Sequence, residues 1–321
     1  MQNDARLLSL LLPCFNSAHR LQPAYETIAT QLDAAQIPFE LLIMDDGSDD
    51  NSWDMARRLA KSDPRVRAFR MARNVTPPYL QFAAFSVCRG ACITWIPDDL
   101  QFPVSMVISL YREWEKGHKI VVSYRSSRND GWLSDLFSRL YYRVMNHLSE
   151  VKFPPGGTDV YLADREIIDI LNTRIHPIHT SSVVEMLRLG FDPVFIPYNR
   201  PPRPGKSRWT WRKKVRHAKD TFFASSSFPI RAITNLGLFI SLLCLLAIPL
   251  LVYARFFAHS HLFGFPVPGW TTIIVLVAFF NGLMLFCLGV VAEYIWRIYE
   301  EVKGRPGFII RKEEGNNGSK A

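Results

Sequence analysis

Short, fully apolar runs alternate with stretches of helical apolar spacing through the first 125 residues. Residues 7–13 (LLSLLLP), 40–46 (ELLIMDD), 66–70, 92–96 (CITWI) and 119–124 (KIVVSY) read as strands. Between them, residues 23–35, 52–62 and 103–116 read as helices, and the segment leading to Cys88 has helical spacing. Strands apolar at nearly every position are buried on both faces. Their alternation with helices predicts an α/β domain with a parallel sheet covered on both sides. Ligands of such sheets bind beyond the carboxyl ends of the strands. Asn16, Asp45, Asp46, Asp98 and Asp99 all fall at those ends.

Beyond residue 125 the pattern changes. Residues 130–150 show amphipathic helical spacing and end at a Pro-Pro-Gly-Gly break, residues 154–157. VYLADREIIDIL, residues 160–171, reads as a short strand running into a helix. Residues 198–210 form a basic, proline-rich loop, and 211–226 resemble an interfacial helix with cations beside apolar residues. Two uncharged apolar runs follow, each long enough for a membrane span of roughly 20 residues. They predict spans at about 236–254 and 271–292. The tail after Arg311 is polar and is expected to fray.

Composition agrees with an uneven division. The 321 residues are 48% hydrophobic and 21% charged, with net charge +9. Arg212, Lys213, Lys214, Arg216, Lys219 and Arg231 precede the first span. Arg297, Lys303, Arg305, Arg311 and Lys312 follow the second, and the connecting loop has only Arg255. This asymmetry predicts cytoplasmic flanks. The N-terminal MQNDAR is polar and the run after it is too short to span, which keeps the first 230 residues on the cytoplasmic side. The basic excess then serves anionic headgroups rather than nucleic acid. The five cysteines have no metal-ligand spacing and read as free thiols.

The candidate chemistry begins at Asp98-Asp99-Leu100-Gln101. Adjacent carboxylates disfavour each other's ionisation. A hard cation such as Mg²⁺ or Mn²⁺ relieves this and can bridge a diphosphate. Alone, an acidic pair is more often a solvated turn. Asp45-Asp46-Gly47-Ser48 can accept hydrogen bonds from a base or ribose, or simply form a turn in which Asp50 or Ser52 caps the next helix.

Taken together, PCFNS (13–17), MDDGSDDNS (44–52), ARNV (72–75) and PDDLQFP (97–103) resemble the family 2 glycosyltransferases of GT-A type. SYRSSR (123–128), SRLYYRVMNHLS (138–149), GTDVYLADR (157–165), GKSRW (205–209) and EYIWRIYEEVKGRP (293–306) extend the likeness to the end of the chain. They make it most similar to the branch producing polyprenyl-phosphate sugars, of the bactoprenol glucosyltransferase and dolichol-phosphate mannose synthase type. The resemblance implies a GT-A Rossmann-like mixed sheet with helices on both faces, followed by interfacial helices and two C-terminal transmembrane helices. It implies a cytoplasmic catalytic domain over 1–208, a juxtamembrane region over 209–232, a transmembrane hairpin over 233–294, and an amphipathic segment with tail over 295–321.

Roles follow by position. Pro13, Phe15 and Asn16 match the nucleobase loop, and Asp45 and Asp46 the carboxylates facing the nucleoside. Asp99 matches the second Asp of the family's DxD, and Gln101 the residue supporting metal and diphosphate. The first Asp corresponds to Pro97, which cannot ligate. Either Asp98 takes its place, or the metal rests on Asp99, Gln101 and the donor. Asp159 matches a catalytic or sugar-orienting carboxylate. Arg125 and Arg139 match the acceptor-phosphate site, and Arg203, Lys206, Ser207 and Arg208 a loop closing on the diphosphate. The implied partners are a nucleotide-sugar donor, with UDP favoured, a polyprenyl phosphate acceptor and the bilayer. The implied location is the inner, cytoplasmic membrane, multi-pass, with room for helix pairing into a homo-oligomer. Two competing readings are a non-catalytic membrane protein retaining the fold and a polysaccharide synthase. The second normally has QxxRW and more spans, whereas Arg208-Trp209 follows Pro-Gly-Lys-Ser here.

Overall fold

The computed structural model describes residues 6–75, 77–125, 143, 146–147, 151–154, 157–178, 180–198, 232–240, 242, 246, 261–262, 265–266 and 269–315. The chain divides into two compact units, 1–225 with 305–321, and 226–304.

In the first unit, strands β1 (Leu8–Cys14), β2 (Phe39–Asp45), β3 (Val66–Met71), β4 (Cys92–Trp95), β5 (Ile120–Arg125), β6 (Tyr161–Asp164) and β7 (Val194–Tyr198) join a late strand, Ile310–Glu314. Two two-residue strands of the other unit, β8 (His261–Leu262) and β9 (Phe265–Pro266), pair with each other. The late strand is therefore β10. The eight-stranded sheet runs β10-β3-β2-β1-β4-β6-β5-β7. β1 pairs in parallel with β2 and β4, and β2 with β3, as the apolar runs predict. β5 and β7 are also parallel. Two strands run the other way: β6 is antiparallel to β4 and β5, and β10 to β3. The sheet is thus mixed.

Both faces are covered. Leu8, Leu10 and Leu12 of β1 pack with Leu21, Ile28 and Leu32 of α1 (Ala18–Ala34), Ala56 and Leu59 of α2 (Ser52–Ser62), and Val107 and Leu110 of α4 (Val104–Glu115). Leu11, on the opposite face, packs with Leu80 and Phe82 of α3 (Pro77–Val87), Ile167 and Leu171 of α5 (Arg165–Arg174), and Met186 of α6 (Ser182–Arg188). Each such buried Leu, Ile, Val, Phe or Met side chain contributes roughly 1.5–3 kcal/mol. A one-residue slip of β1 would exchange its two faces, so its register is strongly specified.

As far as residue 315, the tail does not fray as expected. Residues 310–314 form β10, and the backbone N–H of Ala72 donates to the Ile309 carbonyl at 2.9 Å. Polar residues tolerate this position because an edge strand meets water on one side. Opposite charges supply partners: Arg67 meets Glu313 at 3.1 Å, and Arg57 meets Glu314 at 3.2 Å.

In the second unit, residues 232–240 are helical and α7 spans Gly269–Val302. The expected boundary at 294/295 falls inside this continuous helix. Residues 290–302 contain no Gly or Pro, and Arg297 pairs with Glu293 one turn back at 3.1 Å. Gly304, at φ +61°, follows its end. Residues 279–302 are long and apolar enough to cross a membrane, the one such stretch among the described residues. The expected first span and the 211–226 helix lie largely or wholly outside the described residues.

Candidate active site

The topology gathers the predicted residues. β1, β2, β4, β5 and β7 point their carboxyl ends to one edge of the sheet, and reversed β6 brings its amino end there. Asp159, two residues before β6, therefore joins residues that follow the parallel strands.

The loops after β1 and β2 are locked together. Asn16 adopts a left-handed backbone, φ +49°. Its N–H donates to Ser48 Oγ at 3.0 Å, and its side-chain oxygen accepts the Asp49 N–H at 3.0 Å. Ser52 Oγ and Asp50 Oδ2 accept the N–H groups of Ser17 and Ala18, at 2.9 and 3.3 Å, and so cap α1. Asp50 also accepts the Ser52 N–H at 2.9 Å. Its predicted capping role thus serves two helices. Burial raises the Asp50 pKa, but bonds from Ser52 and Ala18 outweigh this and hold it below the usual carboxylate range.

Asp45 and Asp46 are buried. Asp45 Oδ1 accepts the Ser48 N–H at 3.0 Å, and Oδ2 lies 3.2 Å from Arg70 Nε. That second contact is a charge pair without an aligned hydrogen bond. Asp46 Oδ1 accepts the Val75 N–H at 2.6 Å, tying ARNV to the turn. Between them and Ser48, Gly47 has φ +75° and the Arg73 backbone lies 3.3 Å from where a Cβ would stand. Both carboxylates thus build the loop. Phe15 is 39% exposed, while Pro13, the last residue but one of β1, is in register with Met44.

At the end of β4, the Leu100 N–H donates to the Pro97 carbonyl at 3.0 Å, closing a four-residue turn with Leu100 at φ +50°. Pro97 thus anchors the turn instead of ligating. Asp99 Oδ1 accepts the Gln101 N–H at 3.2 Å, and Gln101 is buried. Asp98 faces Arg20 of α1 at 3.6 Å. No group of three or more His, Cys, Asp or Glu residues assembles among the described residues. A cation there would draw on Asp99, Asp98 and Gln101, with further oxygens from a bound diphosphate. The local field suits this. The Cys14 thiol is pushed well up by burial and then by Asp45, Asp98, Asp50 and Asp46, so four carboxylates bear on one point. Ser17 Oγ and Trp95 Nε1, buried at the same edge, have no hydrogen-bond partner, as groups awaiting a polar ligand would.

On the other side of this turn stands a second cluster. Arg125 Nε donates to Asp159 Oδ2 at 2.9 Å, and the Tyr198 hydroxyl donates to the same oxygen. Burial lowers the Arg125 pKa, but Asp159 outweighs it and the net shift is upward. Burial, then Asp159, raises the Tyr198 phenol, which stays protonated. Tyr198 also packs edge-on against Phe102, ring centroids 5.1 Å apart, joining the acidic turn to Asp159. Arg139, Arg203, Lys206, Ser207 and Arg208 lie outside the described residues. Sequence reading missed Arg20 and Tyr198. The strand-end rule could have found Tyr198, the last residue of a strand; no local signal marks Arg20.

A Rossmann-like mixed sheet with carboxylates gathered at the carboxyl edge is the architecture of GT-A sugar-transfer enzymes. Residues 9–167 match the model for Glycosyl transferase family 2. The chain is 30% identical over 313 residues to the SfII prophage-derived bactoprenol glucosyl transferase of Shigella flexneri, covering 97% of this chain and 99% of that one. It is 29% identical over 307 residues to an uncharacterized glycosyltransferase of Synechocystis sp., covering 94% of each. Among solved structures it is similar to glucosyl-3-phosphoglycerate synthase from Mycobacterium tuberculosis in complex with uridine diphosphate, at 18% identity, 63% and 74% coverage and a TM-score of 0.42. The chain belongs to glycosyl transferase family 2, and it is a glycosyltransferase.

Proposed function

We propose that this enzyme transfers a sugar, with inversion, from a nucleotide-sugar to a polyprenyl phosphate at the cytoplasmic face of a membrane. A UDP-sugar is the favoured donor, and the product is a lipid-linked sugar for cell-surface glycan modification. The observation that carries this reading is the likeness to bactoprenol glucosyl transferase, which runs through 97% of the chain and so extends beyond the sheet domain into the second unit. The apolar, exposed side chains along residues 279–302 support a membrane setting. The two-span, multi-pass arrangement and helix-paired oligomers belong to the same proposal.

The chemistry follows from the groups present. A lipid monophosphate is already anionic near neutral pH, so it needs placement and desolvation more than a strong base. Arg125 and Arg139 would hold it. Phe15, Asn16, Asp45 and Asp46 would receive the nucleoside. A divalent cation, Mg²⁺ or Mn²⁺, held by Asp99, Asp98 and Gln101 would neutralise the departing diphosphate. Arg203, Lys206, Ser207 and Arg208 would add donors to it. A single in-line displacement turns an α-linked donor into a β-linked lipid phosphate.

The test is transfer of radiolabel from a nucleotide-sugar panel to undecaprenyl phosphate, with and without Mn²⁺. The expected result is metal-dependent label in the lipid fraction from a UDP-hexose. Label appearing only in polymer, or in no lipid product from any donor, would overturn the acceptor assignment.

A further inference from the structure

We propose that Tyr198 is a positioning residue for sugar transfer, holding the Asp159 carboxylate in place through its hydroxyl. This rests on the reading of Asp159 as the sugar-facing carboxylate and goes beyond it by naming what orients that group.

Four observations converge. Parallel pairing of β5 with β7 sets Arg125 directly opposite Tyr198, so both side chains leave the same edge in register. Both then donate to one oxygen, Asp159 Oδ2, while Oδ1 accepts from no described residue. A carboxylate clamped through one oxygen keeps the other for a ligand, in a fixed orientation. Tyr198 is buried, and its ring is held by Phe102 of the acidic turn, so the hydroxyl has little freedom to swing away. The backbone beneath is equally constrained: the Asp159 N–H donates to the Ser123 carbonyl at 3.0 Å, and the Ser123 hydroxyl to the Val160 carbonyl at 2.7 Å.

Arg125 is also assigned to the acceptor phosphate, so its guanidinium would serve two anions. The Tyr198 hydroxyl is a neutral donor that stays protonated and can hold Asp159 while the guanidinium meets the phosphate. Arg125 from β5 and Tyr198 from β7 are the titratable or charged groups that bond Asp159 among the described residues.

Tyr198→Phe removes the hydroxyl and keeps the ring against Phe102. With full-length enzyme in detergent, the most active donor of the panel and undecaprenyl phosphate, kcat should fall roughly tenfold or more, as for loss of a hydrogen bond to a charged group. KM for both substrates should stay within about twofold of wild type. Melting should fall by no more than a few degrees, which leaves the enzyme folded at the assay temperature. Unchanged kcat, or a loss carried by KM alone, would overturn the proposal. Full activity of Asp159→Asn would instead remove the role of Asp159, and the positioning role with it. A wild type that makes no lipid-linked product defeats the proposed function itself, which is a distinguishable failure.

Discussion

Asp99 accepts the Gln101 N–H at 3.2 Å, while its neighbour Asp98 faces Arg20. The two carboxylates are therefore not equivalent. Asp98 lies beside a cation, and Asp99 is the residue proposed, on the family likeness, to hold the donor's metal. Asp99→Ala should abolish transfer to lipid while leaving melting and membrane insertion unchanged. Turnover retained by this variant would remove the metal site from Asp99. Both acidic pairs were legible as strand-end residues, and the family likeness supplied the roles proposed for them. The second task of Asp45 and Asp46, bonding the N–H groups of Ser48 and Val75, was not legible. Hydrogen-bond partners belong to the folded loop, and residue type does not specify them.

At the scale of elements, the turn from α2 into β3 shows how a buried carboxylate is stabilised. Asp63 accepts the Arg65 N–H at 2.8 Å, the Arg65 guanidinium at 2.8 Å and the Tyr25 hydroxyl at 2.8 Å. Burial raises its pKa, but these bonds outweigh it and the net shift is downward. Its contribution to stability is present above the unfolded carboxylate pKa near 4 and is lost as pH falls through the lower folded value. Asp63→Asn should therefore cost about 1–2 kcal/mol at neutral pH, a figure kept low because Arg65 is partly exposed. The gap to wild type should close in acid. Thermal melts of both proteins at pH 7 and pH 3 measure this, and a gap no smaller at pH 3 than at pH 7 would contradict it. The helices and parallel strands were readable from apolar periodicity. The reversal of β6 was not, because a short strand has the same pattern in either direction.

At the scale of the molecule, the chain leaves the first unit, forms residues 226–304, and returns to add β10 to the sheet. The returning strand covers the edge of β3 and brings Glu313 to Arg67, whose side chain is buried and also meets Glu40 at 3.2 Å. Removing residues 305–321 should lower the melting temperature by several degrees and promote aggregation through the bared β3 edge. Differential scanning fluorimetry with light scattering reads both, and an unchanged melt would show that β10 adds nothing to the sheet.

What the sequence determined by itself is local: the apolar runs that become strands, the spacing that becomes helices, the long apolar stretch within α7 and the carboxylates at strand ends. Periodicity encodes which face of an element is buried, and a strand's end marks where ligands meet a parallel sheet. The tertiary structure decided the rest. It chose the strand order, turned β6 over so that Asp159 meets Arg125 and Tyr198, set Arg20 against Asp98, and made an edge strand of a charged tail. Those outcomes depend on partners distant in sequence, and pairing energies between remote segments leave no period in the chain.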